Sequence, residues 1–145
     1  MSKNKFLSLE EEAMVVKAIQ EAEHQTGGEV RVHVESVCRG NVMDRAAWLF
    51  KSLKMHETAL RNGVLIYLST TDRKFAIIGD AGINAVVPKG FWDDVKEQMI
   101  AHFSKGEMAT GFVVGIAKVG EKLKEFFPYQ DDDVNELPDE ISYGK

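Results

Sequence analysis

The stretch RNGVLIYLSTTDRKFAIIGD, residues 61–80, limits what this chain can fold into. Residues 64–68, VLIYL, are an unbroken apolar run of mostly β-favouring residues, the mark of a strand covered on both faces. Thr70, Thr71 and Asp72 supply a turn, and residues 75–78 read as a second strand that ends in Gly79-Asp80-Ala81-Gly82. Antiparallel pairing sets the end of that strand beside the start of the first. Arg61 and Asn62 are therefore expected near Asp80, at one end of a buried sheet.

The flanking sequence supplies the covering layers. Ser8-Leu9-Glu10-Glu11 matches a capping box and opens a helix through about Thr26, with Val15, Ile19 and Ala22 on one face and Gly27-Gly28 after it. Residues 29–37 alternate, with Val30, Val32 and Val34 on one side and Arg31, His33 and Glu35 on the other. This predicts a strand with one apolar face, nearer a sheet edge than residues 64–68. Asp44 is a candidate N-cap for a helix through about Met55, with Trp48, Leu49 and Leu53 packing inward. Strand, helix and strand in so short a span predict a parallel βαβ unit, with the third strand running back antiparallel. An irregular loop over residues 81–90 leads to a helix over about 91–104, with Trp92, Val95, Met99 and Phe103 on one side. A last helix follows over about 107–127, marked by Phe112, Ile116, Val119, Leu123 and Phe126. Gly111 and Gly115 within it imply close packing, since glycine weakens a helix interior by roughly 1 kcal/mol relative to alanine. The fold class is α/β: a three-layer α/β/α sandwich with a small mixed sheet of about four strands.

At 145 residues the chain is of single-domain size. One cysteine, Cys38, excludes an internal disulfide framework, argues against a multi-cysteine zinc site, and reads as a partly buried, inert thiol. No segment reads as a signal peptide and no apolar run is long enough to span a bilayer, so a cytoplasmic monomer is expected. The net charge of −5 sits in residues 128–145, which hold six acids and one base; residues 1–127 are formally neutral. Neither part has the basic footprint of a nucleic-acid binder. Residues 1–128 read as the domain and residues 129–145 as an acidic, flexible tail.

The topology gathers oxygen ligands. Glu29, Asn62 and Asp80 converge at one end of the sheet, with Thr58 in the preceding loop; the loop after Asp80 leads to Asp93 and Asp94 in the first turn of a helix. Carboxylates, an amide carbonyl and a hydroxyl suit a hard divalent cation, Ca²⁺ or Mg²⁺, and the absence of soft ligands disfavours zinc or copper. The same residues also have an ordinary reading, in which Asp80 caps a turn and Asp93 and Asp94 stabilise a helix N-terminus. His24, His33, His56 and His102 all read as surface residues, although His56 lies near enough to Thr58 to approach the acidic group. No nucleophile elbow, P-loop or H-E-x-x-H motif is present.

Several blocks together resemble the TPM domain family: GEVRV at 28–32, Met55 and Thr58, RNGVLIY at 61–67 and DRKFAIIGDAGI at 72–83. Pro88, Phe91-Trp92, Gly111, Gly115-Ile116, Gly120 and Phe127-Pro128 continue the pattern. The family is named for a thylakoid-lumen protein, a photosystem repair protein and an acetylcholine-receptor modulator. The resemblance implies an α/β/α sandwich with a divalent-cation site, usually discussed as calcium. Matching positions carry that site to Asp80 first, then Glu29, Asn62, Asp94 and Asp93, with Thr58 last. Acid phosphatase activity is attributed to plant members. Many members also carry a signal peptide and a membrane helix. The expected function is cation binding that orders the loops and thereby serves a regulatory role. The alternative is metal-assisted hydrolysis of phosphomonoesters, with Asp80 as the catalytic residue.

Overall fold

The computed structural model describes residues 7–128 and 141–144. Helix α1 (Leu9–Gln25) opens with the capping box: the Ser8 hydroxyl accepts from Glu11 N–H, and the Glu11 carboxylate accepts from Ser8 N–H. Strand β1 (Glu29–Glu35) follows, then helix α2 (Val42–Ser52) and a single 3₁₀ turn (Met55–Glu57). Strands β2 (Gly63–Ser69) and β3 (Lys74–Gly79) form the hairpin. The chain continues through α3 (Ala81–Asn84), α4 (Phe91–Phe103) and α5 (Met108–Phe126) to β4 (Ser142–Tyr143).

The sheet has the order β3-β2-β1-β4. β1 and β2 are parallel in the register Val30↔Val64, and β3 returns antiparallel to β2 with Val64 opposite Gly79. All seven residues of β2 are buried, as a strand with both faces covered requires. One face carries Val30, Val32, Val34, Val64, Ile66 and Leu68 against α1, α4 and α5. On the other, Leu65, Tyr67 and Ala76 pack against Ala46, Leu49 and Phe50 of α2. The architecture is thus the expected α/β/α class. Within α5, a Cβ on Gly111 would lie 2.7 Å from Phe103 Cδ1 and one on Gly115 would lie 2.7 Å from Met99 Cε. These glycines let α4 approach closely.

Several local expectations are corrected. Asn41, not Asp44, caps α2, accepting from the N–H groups of Met43 and Asp44. Gly40, at φ 81°, turns the chain into the helix early enough for Asn41 to take the cap. Trp48 does not pack inward; it is 60% exposed, with the Arg45 guanidinium over its ring. Phe126 is exposed rather than part of the buried stripe of α5. Residues 81–90 are not wholly irregular, because Asp80 caps the short α3. Cys38 is fully buried. His33 is buried rather than superficial. Its Nδ1 lies 2.9 Å from Ser142 Oγ on the neighbouring β4, and its ring stacks on Tyr67 at 6.0 Å between ring centroids. Most of the stretch expected to form a flexible tail lies outside the described residues, but residues 141–144 run along β1, with His33 opposite Ser142 and Val34 opposite Tyr143.

Candidate functional site

The sheet register brings three of the expected ligand positions together. Glu29 N–H donates to Asn62 O (3.4 Å), and Asp80 N–H donates to Gly63 O (2.9 Å). The starts of β1 and β2 and the end of β3 therefore meet at one end of the sheet. Thr58 joins them through its hydroxyl, which accepts from Asn62 N–H (3.3 Å). Glu29, Thr58, Asn62 and Asp80 are all buried.

The Asn62 amide is oriented by its Nδ2 group, which donates to Gly27 O (3.1 Å). Its Oδ1 is buried and has no hydrogen-bond partner among the described residues. A buried carbonyl oxygen left without a donor is costly, and an ion or a water is one way such an atom is satisfied.

Asp80 is more heavily committed. Its carboxylate accepts from Arg61 Nε (2.7 Å) and Nη2 (2.8 Å), and from the first N–H of α3, on Ala81 (2.8 Å). Burial pushes this carboxyl up, but hydrogen bonds from Arg61 and Ala81 and the charges of Arg61 and His56 outweigh it. The group therefore titrates below the ordinary aspartate value. Arg61 reaches Asp80 from a left-handed backbone conformation, φ 52°, with its O accepting from Gly82 N–H (2.7 Å).

Asp93 and Asp94 stand in the first turn of α4 as expected, but both are exposed and neither carboxylate has a hydrogen-bond partner among the described residues. Among those residues no three Asp, Glu, His or Cys side chains lie together as a metal-binding group. The buried set is two carboxylates, one orphaned amide oxygen and one hydroxyl. As an all-oxygen set it fits a hard cation in donor type, with solvent needed to complete six or more positions.

A second polar cluster, unforeseen from the sequence, lies at the other end of β1. Glu35 is 3% exposed and accepts from Arg45 Nε (2.9 Å), Arg45 Nη2 (2.8 Å) and the Tyr67 hydroxyl. His33 Nε2 lies 3.4 Å from the same carboxylate, and His33 Nδ1 lies 2.9 Å from Ser142 Oγ of β4. Burial lowers the His33 pKa despite the neighbouring Glu35, and burial with the Glu35 contact raises that of Tyr67. The cluster leaves Glu35 and Arg45 paired and His33 held against β4, which is a structural arrangement.

The comparisons with known proteins agree with this architecture. The chain is similar over 99% of its length to the BA42 protein of the psychrophilic bacterium Bizionia argentinensis, at 45% identity, 99% coverage of that chain and a TM-score of 0.91. Two more distant solution structures share the fold. The N-terminal domain of a P. gingivalis protein has 21% identity, 87% and 83% coverage of the two chains and a TM-score of 0.68. The N-terminal domain of the cg2496 protein from Corynebacterium glutamicum has 14% identity, 81% and 74% coverage and a TM-score of 0.65. No curated protein matches the chain. A family model described as the TPM domain matches residues 1–122, and the chain belongs to that family.

Proposed function

We propose that this chain is a cation-binding TPM domain in which Ca²⁺ or Mg²⁺ joins the 58–62 loop, the start of β1 and the Asp80 turn. The supporting observation is the buried, partnerless Asn62 Oδ1 beside the buried Glu29 and Asp80 positions. Asp80, Glu29 and Asn62 would supply the principal oxygens, with Thr58 accessory. Asp93 and Asp94, exposed on α4, would act at most through charge or bound water. The bound ion would offset the repulsion between carboxylates and order three segments that come from distant parts of the sequence. A regulatory role would follow from that ordering, in a cytoplasmic setting.

Hydrolysis of phosphomonoesters is the weaker reading. An Asp80 nucleophile would need the Arg61 contact released, as a cation would, and would further need a general base, which the sequence does not identify.

Thermal denaturation of chelator-treated protein tests the proposal. Saturating ligand at 100 times its Kd stabilises by about 2.7 kcal/mol, so millimolar Ca²⁺ or Mg²⁺ is expected to raise Tm by several degrees. Asp80→Asn should abolish the rise, and Asn62→Leu should reduce it. A wild-type Tm indifferent to both ions removes the proposal.

A further inference from the structure

We infer that Arg61 is a built-in counter-cation at Asp80, which a divalent ion must displace in order to bind. The inference rests on the cation-binding reading above and concerns how that site is regulated.

The Asp80 side chain is only 6% exposed, and a carboxylate so enclosed needs a cation or several donors to remain charged. Arg61 meets that need with a two-pronged contact, while its own side chain is 51% exposed. The asymmetry matters. The acceptor is fixed at the N-cap of α3, but the guanidinium stands at the solvent boundary, where water can replace the contact it gives up. The Arg61 backbone need not move with it, because Arg61 O is tied to Gly82 N–H and Arg61 N–H to Thr58 O. The side chain is thus the movable part of an otherwise pinned loop.

Charge and geometry favour an exchange over simple addition. Arg61 supplies one positive charge at the buried Asp80 carboxylate, with the His56 charge acting on it from farther off. A divalent ion at Asp80 would bring two positive charges where Arg61 brings one and would also satisfy Asn62 Oδ1, for which no donor is present among the described residues. Arg61 and the ion compete for the same Asp80 oxygens, so the ion pair lowers apparent affinity by the free energy of breaking it. The same competition disfavours monovalent ions, which offer no more charge than the guanidinium they would replace.

Calorimetric titration of Ca²⁺ and Mg²⁺ into wild type, Arg61→Met and Arg61→Lys tests the exchange. Arg61→Met keeps a long side chain without charge and is expected to bind about 10-fold more tightly, a coupling of ordinary size. Arg61→Lys keeps the charge without the fork and should fall between. An independent readout is the Arg61 Nε–H NMR signal of the wild type, expected to move toward its free, exchanging position as the ion is added. Wild-type affinity in Arg61→Met, with an unmoved Nε–H signal, overturns the inference and leaves cation binding intact. Binding by Arg61→Met but not by wild type supports the gate and overturns cation binding by the native chain. Failure of both to bind overturns both. If Arg61→Met does not fold, the lysine variant and the Nε–H signal carry the same decision.

Discussion

Glu35→Ala is expected to destabilise the protein by about 4 kcal/mol, within the range seen when one partner of a buried ion pair is removed. Glu35 receives two hydrogen bonds from Arg45 and one from Tyr67, and lies beside His33. Alanine leaves the fully buried Tyr67 hydroxyl and the half-buried Arg45 guanidinium without their acceptor, and opens space beneath Gly144. Because His33 also holds Ser142, β4 should loosen with the same substitution. The pH dependence carries a signature of its own. Burial raises the Glu35 carboxyl, yet Arg45 and Tyr67 together hold it down at about 2, from an ordinary 4.5. A depressed folded-state value means that this stabilisation is complete above about pH 4.5 and is lost as pH falls toward 2. Urea denaturation of wild type and Glu35→Gln at pH 7 and pH 3 should show their difference shrinking at the lower pH. A constant difference would show that the ionised carboxylate is not what holds the cluster.

This cluster also shows where sequence reading stops. The alternation of Val30, Val32 and Val34 with Arg31, His33 and Glu35 correctly separates the two faces of β1. It carries no information on whether the polar face meets water or a second layer. One of the neighbours of the buried His33 is Ser142 of β4, 109 positions away along the chain. No local pattern encodes a two-residue strand at that distance. Arg45, ten residues beyond Glu35, was a readable partner only once α2 was known to cross that face.

The hairpin end was more legible because its logic is topological. One parallel pairing and one antiparallel pairing suffice to bring Glu29, Asn62 and Asp80 to the same edge, and both pairings follow from short, strongly patterned segments. Which carboxylates enter the group is decided by side-chain burial, which topology does not give. Asp93 and Asp94 occupy the expected helical turn and still face solvent, while Arg61, expected near Asp80, holds its carboxylate directly.

Gly82→Ala is expected to be the most damaging single-methyl substitution at this end of the sheet. Its Cβ would fall well inside contact distance of Leu60 O and 2.6 Å from Arg61 O. Both obstacles are backbone carbonyls, so no side chain can rotate away. Either α3 or the 58–62 loop must shift, and the hydrogen bond from Gly82 N–H to Arg61 O is lost in the process. Overpacking of this kind costs about 1–3 kcal/mol and more where relaxation is blocked, so a loss of about 3 kcal/mol is expected. Gly90→Ala is the informative control. Gly90 has φ 82° but open space around its Cβ position, so alanine there incurs only left-handed backbone strain, of about 1–2 kcal/mol. The two variants therefore separate crowding from conformation. Gly82→Ala should also shift the NMR signals of Thr58, Arg61, Asn62 and Asp80, whereas Gly90→Ala should leave those signals in place. If Gly82→Ala is no more destabilising than Gly90→Ala, the α3 turn does not press on the Leu60–Arg61 backbone. The rigid frame that holds Arg61 against Asp80 would then lose its physical basis.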